Sequence, residues 1–189
     1  MSSILLTAPA DEPLTLDEAR AFLRVEHHDE DALIGALIAG ARLHVEAQTR
    51  RALITQVWRF ALDAWPESGR IDVRPAPLQA VIAARVYDEA GNAASLDLQA
   101  FVPALAASVI AFVPWAMPMP GRLVAGIELD VRVGYGDAAT AVPEPLRQAM
   151  RLLVAHWYEN RTPVAVGHEI AVLPEVVTAL LAPYRMLSL

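Results

Sequence analysis

The sequence predicts an α+β fold, with two N-terminal and two C-terminal helices and an inserted antiparallel β-domain between them. Three observations carry this. Apolar residues recur at helical spacing before residue 52 and again after Pro143, and between them the apolar period drops to two. Gly134-Tyr135-Gly136-Asp137 and an Ala-rich stretch then mark the return to helix. The expected boundaries are 1–52 for the N-terminal helices, 53–137 for the β-domain and 138–189 for the C-terminal helices.

Thr15-Leu16-Asp17-Glu18 has the form of a capping box. The Thr15 hydroxyl is placed to accept from the third helical N–H, and the Glu18 carboxylate reaches back to the cap. Leu16, Ala19, Phe22 and Leu23 share one face, so a first helix is expected over 16–25. His27-His28 breaks the pattern, and Asp29-Glu30-Asp31 puts negative charge where the next helix's dipole favours it. Leu33, Ile34, Leu37, Ile38, Ala41 and Val45 then recur at helical spacing, and Arg50-Arg51 supplies the charge that suits a C-terminus.

From Leu53 the pattern alternates. Thr55, Arg59 and Asp63 interleave with Gln56, Trp58, Phe60 and Leu62, and Arg70, Asp72 and Arg74 interleave with Ile71 and Val73. Further strands are expected over 81–88, closed by the turn-rich Asp88-Glu89-Ala90-Gly91-Asn92, and over 109–113. Ile127, Leu129, Val131, Val133 and Tyr135 alternate with Glu128, Asp130 and Arg132, which gives a strand with one wet and one dry face.

Pro143-Glu144-Pro145 opens a helix at positions where a missing N–H costs nothing. Leu146, Met150, Leu153 and Trp157 are its expected buried stripe, and Thr162-Pro163 stops it. A last short helix begins near Pro174, carries Val176, Val177, Leu180 and Leu181, and ends or kinks at Pro183.

Composition narrows the function. The 189 residues suit one domain of ordinary size or a domain with a substantial insertion, and suffice to bury a core. The chain is 55% hydrophobic with a mean hydropathy of +0.35, much of it alanine, which favours helix over disorder. With no cysteine there is no disulfide, thiolate metal site or Cys nucleophile, and an intracellular protein is the simplest reading. Fifteen basic residues, all arginine, against 22 acidic ones give a net charge of −7, a balance opposed to gripping nucleic acid by phosphate neutralisation. The apolar start lacks the positive segment of a secretory signal. The uncharged stretch 98–121 is interrupted by Pro103, Pro114, Pro118 and Pro120, so no membrane span is expected.

No constellation for catalysis emerges. His27, His28 and Asp29 lie together and His156 precedes Glu159 on one helical face, but there is no H-E-x-x-H and no metal or cofactor is expected. None of the six serines sits in G-x-S-x-G. Gly134-Tyr135-Gly136 has neither the third glycine nor the lysine of a phosphate loop.

In order and spacing, several strings resemble the phage head-to-tail connector family, the adaptors beneath the portal of tailed phages and gene transfer agents. They are Leu14-Thr15-Leu16-Asp17-Glu18-Ala19, Asp29-Glu30-Asp31-Ala32-Leu33-Ile34, Gly134-Tyr135-Gly136-Asp137, and Pro143-Glu144-Pro145-Leu146-Arg147-Gln148-Ala149-Met150 running into His156-Trp157-Tyr158-Glu159-Asn160-Arg161. The late Leu181-Ala182-Pro183-Tyr184-Arg185 looks like the family's ending. The resemblance implies a helical connector core and a non-enzymatic ring, commonly of twelve subunits, made in a bacterial cytoplasm and built into the head-to-tail junction of the particle. Its implied partners are the portal protein, a stopper or tail-completion protein, further copies of itself, and DNA passing through without specific binding.

Two surfaces are expected to carry contacts. The terminal segment holds more apolar side chains than one core face needs, and its Leu173, Val176, Val177, Leu180, Leu181, Tyr184, Arg185, Met186 and Leu187 are expected to dock on the portal. The Pro-rich stretch 109–120, with Trp115, Met117 and Met119, is expected to meet a neighbouring subunit or the next ring; a buried strand with a surface loop explains that stretch equally well. The rival is a small-molecule-binding or enzymatic β-domain framed by helices, suggested by Trp58, Trp65 and Trp115.

Overall fold

Thr15 caps the first helix, α1 (Leu16–Leu23), in the manner its sequence predicts. Its hydroxyl accepts from the Glu18 N–H at 3.2 Å, and the Glu18 carboxylate accepts from the Thr15 N–H at 3.0 Å. The computed structural model describes residues 1–160 and 175–186, and the chain divides into two compact units. One comprises Asp11–Ile54 with Gly136–Leu189, and the other Met1–Ala10 with Thr55–Tyr135.

The helical unit holds α1, α2 (Asp31–Thr49), α3 (Glu144–Glu159) and α4 (Glu175–Leu181). Ile34, Ile38, Ala41, Val45 and Thr49 of α2 are buried, and so are Leu146, Ala149, Met150, Leu153 and Val154 of α3. These are the i, i+3, i+4 stripes that place two helices against each other. α1 ends at Arg24 and α2 at Arg50, both left-handed. Arginine ties the unit together: Arg147 donates to the Pro13 carbonyl at 2.9 Å, to Glu144 at 3.0 Å and to Glu18. Arg42 reaches Glu12 at 2.8 Å and Glu46 at 3.0 Å, while the other Glu46 oxygen accepts from the Leu53 N–H at 2.9 Å.

The β unit contains β1 (Ser2–Thr7), β2 (Gln56–Leu62), β3 (Arg70–Asp72), β4 (Leu78–Tyr87), β5 (Ala93–Ser95), β6 (Val102–Ala104), β7 (Val109–Ala111) and β8 (Ile127–Val133). They form a five-stranded antiparallel sheet of order β1-β2-β8-β4-β5 and a three-stranded one of order β3-β7-β6. The dry face of the larger sheet carries Phe60, Leu62, Leu78, Ala84, Val86, Ile127, Leu129, Val131 and Val133, all buried. Phe101, Phe112 and Trp65 make an aromatic cluster in this unit, with centroids 5.1 to 6.3 Å apart.

Four expectations need correction. The first ten residues, assigned above to the helical segment, contain β1 and belong to the β unit. Every residue of β1 is exposed, so no apolar alternation announces it; pairing with β2 makes the strand. Phe22, expected on the buried face of α1, is 41% exposed, because that helix stops at Leu23 and buries Ala19 alone. Trp157 is only half-buried, since its ring lies edge-on to His44 at 5.9 Å and over Gly40 instead of entering the core. Asp130 faces the wet side of β8 yet is buried, covered by two arginines from the flanking strands.

Candidate assembly surfaces

The terminal segment is anchored by its backbone. The Tyr184 carbonyl accepts from Arg51 Nε at 2.7 Å, the Met186 N–H donates to the Thr49 carbonyl at 3.1 Å, and Arg185 donates to Gln48 at 3.1 Å. This fixes one face of α4 inward. Val177 and Leu181, two of the expected docking residues, are buried in the helical unit and serve its core. Val176 and Arg185 are exposed, and Leu180, Tyr184 and Met186 are half-buried. Leu173 and Leu187 lie outside the described residues, as do Arg161 and Thr162-Pro163.

In the β unit the segment between β7 and β8 presents apolar side chains on a braced backbone. Trp115 is 88% exposed, Met119 90%, Leu123 92% and Val124 71%, while Met117 is half-buried. The bracing comes from both ends. Trp65 Nε1 donates to the Pro118 carbonyl at 2.9 Å, the Gly121 N–H to the Tyr87 carbonyl at 2.8 Å, and the Ala125 N–H to Asp63 at 2.8 Å. The Arg122 guanidinium sits 4.8 Å from the Tyr87 ring centroid. Gly121 passes so close to the backbone of residues 88–89 that a Cβ there would come within 2.3 Å of the Glu89 nitrogen. Large apolar groups held out on a fixed loop mark a surface that gains from being covered.

The matches to known proteins agree with a role in assembly. A model of the family described as phage gp6-like head-tail connector protein matches residues 13–99. A chain from the neck of an empty gene transfer agent particle, computed with C6 symmetry, is 30% identical at a TM-score of 0.83, over 100% of this chain and 97% of that one. The chain belongs to the phage head-tail connector family. A chain from the virion of a native gene transfer agent particle is 29% identical at a TM-score of 0.83. One from the neck of the native particle, computed with C12 symmetry, is 29% identical at 0.79, and both comparisons again cover 100% of this chain and 97% of the other. No curated protein sequence matches. As a head-tail connector, the protein is a structural component of the head-to-tail junction.

The connector's tryptophans do not converge on a pocket. Trp65 is taken up by Phe101 and Phe112, Trp58 donates to Gln56 at 2.9 Å from a half-buried position, and Trp115 points outward. The rival reading drew on that aromatic content, so it loses its observation. Of the histidines, His28 pairs with Asp31 at 2.9 Å beside the start of α2, a structural use. Among the described residues no helix is long and apolar enough to cross a membrane.

Sequence reasoning missed a charged lattice on the wet face of the larger sheet. Arg59 on β2 and Arg85 on β4 both hold Asp130 on β8, and Glu128 lies 3.2 Å from Arg59 and 3.7 Å from Arg85. Burial alone would raise the Asp130 carboxyl, but the hydrogen bonds from Arg59 and then Arg85 outweigh it and hold its pKa below the ordinary value. Tyr87 donates to Glu128 at 2.9 Å, which shifts the phenol pKa upward. The signal was present in the alternation of Arg59, Glu128 and Asp130, but only strand order brings them together. Leu123 and Val124 were missed for the opposite reason: nothing in their local sequence separates exposed valine and leucine from buried ones.

Proposed function

We propose that this connector is a ring-forming adaptor of a tailed phage or gene transfer agent particle, joining the portal protein to the stopper or tail and letting DNA pass through its channel. The observation that supports this most is the extent of the likeness to neck chains, which runs over 100% of this chain. The part of the terminal segment not taken into the core, Val176, Leu180, Tyr184, Arg185 and Met186, is the portal-facing surface. Trp115, Met117 and Met119, joined now by Leu123 and Val124, meet a neighbouring subunit or the next ring. Net charge −7 suits a channel along which DNA slides without sticking, because acidic walls release no counterions on contact.

The test is to mix the purified chain with the portal and tail proteins of its particle, measure the mass of any complex and image it. Rings seated on the portal are expected. A chain that stays monomeric with both partners at micromolar concentration rejects the proposal.

A further inference from the structure

The edges of the two sheets differ in how they are protected. A sheet edge leaves N–H and C=O groups unpaired, and proteins blunt it with charge, proline or bulges unless the edge is meant to be used. β3 carries the charges of Arg70 and Asp72 within it, and β6 contains Pro103. β1 carries none of these across Ser2–Thr7 apart from one register shift between Leu5 and Thr7, and its Ile4, Leu5 and Leu6 are 56%, 42% and 44% exposed. β5, Ala93–Ser95, is likewise uncharged and fully exposed. In the order β1-β2-β8-β4-β5 these two strands without charge or proline are the opposite edges of one sheet.

We infer that β1 adds to the β5 edge of the next copy of this chain, making the subunit contact of the ring partly a main-chain one. The inference rests on the ring reading above. A closed ring of identical chains needs two different surfaces on each copy, because a patch that meets itself closes as a dimer. Opposite edges of one sheet meet that requirement; β1 on β1 does not. Strand addition also explains why a six-residue segment of serine, threonine and aliphatic side chains, held extended by β2, buries none of them: main-chain groups give the affinity and the exposed Ile4, Leu5 and Leu6 are covered only when the neighbour arrives.

The absence of cysteine makes the test clean. Ile4→Cys or Leu5→Cys, one for each face of the strand, is combined with Ala93→Cys, Ala94→Cys or Ser95→Cys. Within one copy the two edges are four strand spacings apart, about 19 Å, so a disulfide, limited to roughly 7 Å between Cα atoms, forms only between copies. The full-length variants are assembled on their portal, the mass of the complex is measured, and the complex is then oxidised and run on a denaturing gel. A ladder beyond the dimer for at least one pair is expected, with single-cysteine variants stopping at the dimer. Rings of full mass that give no ladder with any pair overturn the strand contact and leave the ring reading standing. Failure to form any ring overturns both.

Discussion

Asp130 and Arg59 face each other across β8 and β2 through two parallel bonds, Nε to Oδ1 at 2.7 Å and Nη2 to Oδ2 at 2.9 Å. From the other flanking strand, Arg85 donates to the same Oδ2 at 2.9 Å. One carboxylate therefore fastens three strands, β2, β8 and β4, on the face that the hydrophobic core does not reach. Two-bonded guanidinium pairs are the geometrically strict kind, and lysine cannot reproduce them. Replacing Asp130 by alanine leaves two arginines facing Glu128 alone. Both arginines are about a quarter to a third exposed, so solvent softens the loss to roughly 2–3 kcal/mol. Urea unfolding of Asp130→Ala against the parent checks this, and a change under 0.5 kcal/mol would remove the lattice from any role in stability.

The same carboxylate fixes a pH dependence. Asp130 has its folded pKa depressed, and so do Glu18, through the Thr15 backbone bond first, and Glu144, through Arg151 first. A depressed carboxyl contributes stability that is complete above its unfolded pKa, near 4, and is lost as pH falls through the lower folded value. Melting temperature is expected to be flat from pH 7 to about 5 and to drop below about 4. The gap between Asp130→Asn and the parent should narrow over that acidic range. A gap that persists unchanged at pH 2 would show that the effect is not the carboxylate's charge.

At the N-terminus of α1, Thr15→Ala removes the hydroxyl that accepts from the Glu18 N–H and donates to the Glu18 carboxylate, while the Thr15 N–H and Arg147 still hold that carboxylate. A cost of about 1 kcal/mol is expected. Thr15→Ser, which keeps the acceptor, should recover most of it, and chemical denaturation of the two variants decides the point.

Adjacent residues on α4 separate folding from docking. Val177→Asp puts a charge into the helical core and should destabilise by about 3 kcal/mol or more. Val176→Asp, at a 50% exposed position, should leave the melt within about 0.5 kcal/mol and weaken portal binding at least tenfold. Equal portal affinity for Val176→Asp and the parent, by titration, would move the portal surface elsewhere.

The braced loop gives a parallel case. Met119→Asp and Leu123→Asp alter side chains that touch little within the subunit, so the melt should shift by no more than about 0.5 kcal/mol. Ring formation or attachment of the next component should fail, by mass and imaging. Normal particles carrying both substitutions would return this loop to plain surface.

The helices were legible because their information is local. Thr15 and Glu18 are three residues apart, and Ile34, Ile38, Ala41 and Val45 of α2 announce its buried face at its own period. The dry faces of β2 and β8 were legible for the same reason. What sequence did not disclose depends on partners distant in the chain. β1 is a strand because residues 56–62 lie beside it, and Asp130 is buried because Arg59 and Arg85 arrive from strands 71 and 45 residues away. Of the assembly surfaces, the apolar content of the terminal segment was visible, but which side chains face outward was not. Val176 and Val177 are indistinguishable as letters, and only the helix phase set by the Thr49–Met186 and Arg51–Tyr184 bonds separates them.

The first ten residues share a unit with residues 55–135, although the helices of residues 11–54 intervene. The β unit is therefore not a cassette that a single excision can lift out. A gene fragment encoding only 55–135 would yield a sheet with β2 laid bare, and recombination that replaced this segment would hand the incoming sheet the outgoing one's first strand. Residues 2–7 and 56–62 must be inherited as a matched set, so exchange between related particles is expected to break outside both of them or not at all.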